Sequence, residues 1–147
     1  MGRYKHILLA TDLSKFAKQV AKTAADFAKA MDAKLSIVHV QEYTPTLFGE
    51  GESTIALDVN LEQLLLKQAE EAMATLAKSI HIPVDQTFIK TGSIKRETVD
   101  LAELLDADLI VVGSHGRGGF NEALLGSSAN AILHEAKCDV YEVRLVK

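Results

Sequence analysis

Five short apolar runs, at residues 6–10, 34–40, 84–89, 108–112 and 140–146, alternate with stretches of helical period. This alternation constrains the fold more than any other feature of the chain. Each run is rich in Val, Ile or Leu and short enough for a β-strand. Over residues 14–31, Ala17, Val20, Ala21, Ala24, Phe27, Ala28 and Met31 recur every three or four positions, which places them on one helical face. Residues 61–80 repeat the pattern with Leu61, Leu64, Leu65, Ala69, Ala72, Met73, Leu76 and Ile80, and residues 94–105 with Ile94, Thr98, Leu101, Ala102 and Leu105. A last helix is expected over 127–135. Strand and helix in strict alternation imply parallel strands joined by right-handed crossovers, hence an open α/β sheet with helices on both faces.

Buried parallel strands read as continuous apolar runs. Ile7-Leu8-Leu9-Ala10 and Leu109-Ile110-Val111-Val112 do so and are expected at the centre of the sheet. Val140-Tyr141-Glu142-Val143-Arg144-Leu145-Val146 alternates instead, which predicts an edge strand. Such an edge is either guarded by its own charges or covered by the same strand of a second copy across a two-fold axis. Residues 41–60, with Pro45, Gly49 and Gly51, carry no secondary-structure signal. They read as a long loop leaving the carboxyl edge of the sheet, either a cover over a ligand or a plain connection.

With 147 residues, one domain covering 1–147 is expected. A single cysteine, Cys138, excludes an intrachain disulfide framework, so a reducing cytoplasm is the expected compartment. Sixteen basic against twenty acidic residues leave a net charge of −4 without a basic run, which argues against nucleic acid as a partner. The first apolar run, at 6–10, is too short for a membrane span, so no membrane role is expected.

Chemistry is concentrated after the fourth run. Gly113-Ser114-His115-Gly116-Arg117-Gly118-Gly119-Phe120 is followed by Gly126-Ser127-Ser128 at the start of the last helix. Glycines let backbone N–H groups approach a ligand closely, and a helix N-terminus adds unpaired donors and partial positive charge, so the pair of stations suits a phosphate. The bland alternative is that the glycines make turns and Ser127 caps a helix. Neither the lysine-bearing phosphate loop nor the dinucleotide glycine fingerprint is present, since Thr11-Asp12-Leu13-Ser14 follows the first run. Asp12 is placed either to accept hydrogen bonds from sugar hydroxyls or hold a cation, or simply to start the helix. His115 and Arg117 either touch phosphate or lie in solvent. Ser114 beside His115 lacks a nucleophile elbow and is not read as a catalytic pair. His39 reads as a hydrogen-bonded structural residue.

Gly113-x2-Gly116-x9-Gly126-Ser127 resembles the nucleotide-binding signature of the universal stress protein family. The stretches 7–14, Val38-His39-Val40 and 107–116 are similar to its other landmarks, and the likeness runs from about Lys5 to Val146. The resemblance implies a five-stranded parallel sheet of order 3-2-1-4-5 with four helices, a Rossmann-like adenine nucleotide alpha hydrolase-like fold. It implies a homodimer through residues 140–146 that binds ATP or AMP/ADP in stress signalling, with Mg²⁺ held through the phosphates. By that match Ala10, Thr11, Asp12 and the backbone of Val40 hold the nucleoside. Val112, Gly113 and Gly116, with His115 and Arg117, line the sugar and phosphate region, and Gly126, Ser127 and Ser128 take the phosphate chain. No residue stands out as a general base, so any ATPase activity is expected to be slow. Tyr4-Lys5-His6-Ile7-Leu8-Leu9-Ala10 and Leu57-Asp58-Val59-Asn60-Leu61 are more similar to a branch lacking the glycine signature. That similarity implies a further alternative, a dimer acting through protein contacts without nucleotide.

Overall fold

The computed structural model describes residues 3–42, 52–81, 83–114 and 127–145. Its elements run β1 (His6–Thr11), α1 (Ala17–Met31), β2 (Lys34–Gln41), α2 (Glu52–Ser79), β3 (Gln86–Thr91), α3 (Ile94–Leu104), β4 (Leu109–Gly113), α4 (Ser127–Glu135) and β5 (Asp139–Val143). All neighbouring strands are parallel, in the order β3-β2-β1-β4-β5. The open α/β sheet expected from the alternation is therefore the fold, with β1 and β4 inside it and β5 at one edge.

Alternate residues of the strands feed two apolar layers. Ile7, Leu9, Leu35, Ile37, Leu109 and Val111 pack with Val20, Ala21, Ala24 and Ala28 of α1 and Met73 and Leu76 of α2. Leu8, Val38, Val40, Ile110 and Val112 point to the other side, against Leu101 and Ala102 of α3 and Ala129 and Ile132 of α4. The small side chains of Ala21 and Ala24, fully buried, let α1 lie close against the sheet. The helix ends where Asp32 turns left-handed (φ 53°), its N–H reaching back to the carbonyls of Ala28 and Lys29. Ser93 caps α3, its hydroxyl accepting the N–H of Arg96 at 3.3 Å. Among the described residues no helix is long and apolar enough to cross a membrane.

Three expectations are corrected. The 41–60 segment is not a loop throughout, because α2 already starts at Glu52. Once the packed end of this helix has nucleated, residues 52–60, which contain neither Gly nor Pro, extend it at little cost. The second correction concerns the buried face of α2. Ala69, Met73, Leu76 and Ile80 are buried, but Leu61 and Leu64 are 53% and 52% exposed and Leu65 is exposed as well. The helix outruns the sheet that covers its second half. Third, β3 lies two residues beyond the 84–89 run and β5 covers Asp139–Val143 rather than 140–146. Pairing sets these limits: the ladder on five-residue β4 runs from Leu109↔Asp139 to Gly113↔Val143. Leu145 is nevertheless buried past the end of β5.

Candidate functional site

The strand order reverses between β1 and β4, and in open α/β sheets a crevice opens there outside the carboxyl ends of the strands. The β1–β4 register ends at Leu9↔Val111, whereas the β1–β2 register continues to Ala10↔Val38 and Thr11↔His39. The last two residues of β1 are thus registered on β2 alone. Ala10 is half-buried and lies on the same side of the sheet as Val40 and Val112, whose side chains are buried. These three apolar residues converge at the carboxyl ends of three adjacent strands.

From Thr11 onward the chain is held by its own short side chains. Thr11 Oγ1 accepts the N–H of Leu13 at 3.1 Å, Asp12 Oδ1 accepts the N–H of Ser14 at 2.9 Å, and Ser14 Oγ accepts the N–H of Phe16 at 3.2 Å. Local bonds of this kind favour turns over regular structure. They carry the chain through Leu13, whose φ of 57° is unusual for a bulky side chain, and into α1. Asp12, expected either as a ligand contact or as a helix start, is half-buried in this turn. The cap position of α1 falls to Phe16. The buried ring of His39 reaches across from β2, Nδ1–H donating to the carbonyl of Thr11 at 2.9 Å.

On β4, Gly113 owes its lack of a side chain to packing. A Cβ there would come within 3.0 Å of Val20 Cγ2 and 3.6 Å of Leu145 Cδ1. Replacing it perturbs the α1 layer directly, which makes Gly113 a poor probe of ligand contact. Ser114 is buried, its N–H donating to the carbonyl of Val143 at 2.9 Å and its hydroxyl accepting the N–H of Leu145 at 3.2 Å. It ties down the exit of β5. Ser127 opens α4 and Ser128 is half-buried beside it. His115, Gly116, Arg117 and Gly126 lie outside the described residues.

His39 is the residue that sequence reasoning places in the structure but not in the site. Its signal is a polar aromatic side chain in an otherwise apolar strand, Leu35-Ser36-Ile37-Val38-His39-Val40. Among the described residues no group of three or more His, Cys, Asp and Glu side chains is arranged to hold a metal ion.

The family model of the universal stress proteins matches residues 3–144. The chain is 45% identical to universal stress protein A homolog 1 of Coxiella burnetii over 140 residues, covering 95% of this chain and 96% of that protein. The solved structure of the universal stress protein UspA from Lactobacillus plantarum superposes with a TM-score of 0.83 at 23% identity, over 98% of this chain and 100% of that one. A universal stress protein solved in complex with cAMP matches with a TM-score of 0.64 at 26% identity, over 95% of this chain and 96% of that one. By sequence and by fold, this chain belongs to the universal stress protein family.

Proposed function

We propose that the chain is a stress-response module that binds an adenine nucleotide, ATP or AMP/ADP, at the switch point between β1 and β4. The observation that carries this reading is the end of β1. There the half-buried methyl of Ala10 lies on the side of Val40 and Val112, and the carboxylate of Asp12 follows two residues on. An apolar floor with one fixed polar group suits a flat base joined to a hydroxylated sugar. In this reading Ala10, Thr11, Asp12 and Val40 receive the nucleoside and Val112, Gly113, His115, Gly116 and Arg117 the sugar and first phosphate. Gly126, Ser127 and Ser128 at the start of α4 receive the remaining phosphates. The complex of a 26% identical relative with cAMP supports the class of ligand. Mg²⁺ would be carried by the phosphates, with water completing its shell.

A ligand that binds only the folded chain raises its melting temperature in proportion to RT ln(1 + [L]/Kd). Millimolar ATP with Mg²⁺, or AMP, is expected to raise it by several degrees, while GTP does so less. No shift with any adenine nucleotide would refute the proposal.

The same chain is proposed to form a homodimer through residues 140–146. β5 is an edge strand, and Tyr141, 44% exposed, stands beside Phe27 with ring centroids 4.8 Å apart. Among the described residues no strand pairs with the outer side of β5, and an edge of this kind invites a second copy. Sedimentation at micromolar concentration is expected to give a dimer that Tyr141→Lys shifts toward monomer. A wild-type protein that sediments as a monomer contradicts it.

A further inference from the structure

We infer that His39 is a positioning residue for the ligand's sugar: by holding the carbonyl of Thr11, it fixes the turn that presents the Asp12 carboxylate and thereby sets the preference for a hydroxylated ribose. The inference rests on the nucleotide reading above and assigns to a buried side chain control over the aim of a neighbouring carboxylate.

Three observations carry it. The first is the ladder. Thr11↔His39 is the last registered pair of β1 and β2, and the register of β1 on β4 has already ended two residues earlier. Among the described residues no strand pairing holds the chain between Thr11 and α1. The second is the ring bond itself, 2.9 Å from His39 Nδ1 to the Thr11 carbonyl, made by a side chain only 4% exposed. A carbonyl oxygen accepts only, so Nδ1 carries a proton and donates it to Thr11. The third is the turn that follows. Leu13 adopts φ 57°, and a bulky residue stays in that region only where the surroundings over-determine it. Thr11 Oγ1 to Leu13 N–H and Asp12 Oδ1 to Ser14 N–H supply part of that constraint, and they start from the two residues joined by the peptide whose carbonyl His39 holds. If the Thr11 carbonyl is released, the peptide between Thr11 and Asp12 is free to rotate. The Asp12 carboxylate then loses its aim while the strands below keep their pairing.

A purely structural histidine and a positioning one differ in what their loss does to selectivity. Loss of packing weakens every nucleotide alike, whereas loss of aim weakens only those with sugar hydroxyls for Asp12 to receive. The experiment therefore compares affinity for AMP with that for 2′,3′-dideoxy-AMP in His39→Asn, His39→Gln, His39→Leu and Asp12→Asn. The Asn amide places an N–H where Nδ1–H stands; the Gln amide reaches too far and Leu has no donor. Wild type and His39→Asn are expected to prefer AMP by roughly tenfold or more, as fits a hydrogen bond to a carboxylate. His39→Gln and His39→Leu are expected to fall to the ratio of Asp12→Asn, and combining either with Asp12→Asn is expected to lower it no further. Should the His39→Leu variant fail to fold, the His39→Gln variant decides. A wild-type ratio in a folded Gln or Leu variant overturns the inference.

Hydrogen exchange in the ligand-free proteins separates this from a failure of the nucleotide reading. The amides of Leu13 and Ser14 are expected to exchange at least roughly tenfold faster in His39→Gln than in wild type or His39→Asn. If wild type binds no AMP but the exchange pattern holds, the nucleotide reading fails and the positioning of the turn stands. Unchanged exchange overturns the positioning role whether or not AMP binds.

Discussion

The thiol of Cys138 shows how far a single residue's surroundings set its chemistry. It forms part of the wall of a groove of about 300 Å³ with Val99, Ala102, Ile110 and Ala136, at the edge of the sheet opposite the candidate site. Burial raises its pKa, and the carboxylates of Asp139 and Asp108 add to the effect. In the unfolded chain the thiol ionises at its ordinary value, so as pH rises the unfolded state loses its proton first. The stability this group contributes is present in full below the unfolded pKa and is lost as pH rises through the folded one. Alkylation at pH 8 is therefore expected to be slower than for free cysteine, and Cys138→Ala is expected to lose less stability than wild type between pH 8 and 10 in urea titrations. Alkylation as fast as for free cysteine would contradict this account of the thiol.

At the same scale, some site residues are legible in the sequence while the reason for others is hidden. Asp12 can be placed at the end of β1 because a five-residue apolar run ends just before it. That its carboxylate accepts the N–H of Ser14, and that Leu13 turns left-handed, depends on backbone angles that no periodicity encodes. Gly113 reads in the sequence as freedom for a ligand. The structure gives it a different cause, the approach of Val20 across the α1 layer, a long-range contact invisible to local pattern.

Among the elements, α2 separates period from burial most clearly. Its leucines recur at helical spacing from Leu61 onward, and the helix forms as that spacing predicts. Whether a helical face is covered, however, depends on where the sheet stops, which the spacing does not report. Among the residues of α2 whose burial is described, those packed in the core begin at Ala69, with Met73 2% exposed. Met73→Ala is expected to cost roughly 2–5 kcal/mol of stability, as for other long apolar side chains removed from a core. Leu64→Ser is expected to stay within about 0.5 kcal/mol of wild type, as surface substitutions do. Chemical denaturation checks both, and a large loss on Leu64→Ser would mean that its side chain is covered in solution. The 41–60 segment misleads for a related reason. Gly49, Gly51 and Pro45 signal a break, but a helix anchored further on can grow back toward such a break without any apolar stripe to announce it.

For the whole molecule, the order and direction of the strands are legible because burial on both faces writes itself into continuous runs such as Ile7-Leu8-Leu9 and Leu109-Ile110-Val111-Val112. Parallel pairing then brings the ends of β1, β2 and β4 to one edge, and the reversal of strand order there makes the crevice in which a nucleotide is proposed to sit. The groove beside Cys138 opens at the opposite edge, so the two locations offer distinct outcomes to one experiment. That experiment is an amide NMR titration of the wild-type protein with AMP. The account expects saturable shifts concentrated at Ala10, Thr11, Asp12, Val40, Val112, Gly113 and Ser128, with those near Cys138 unmoved. Spectra that stay unchanged at millimolar AMP, or shifts confined to Ala102, Ala107, Ala136 and Cys138, would contradict it.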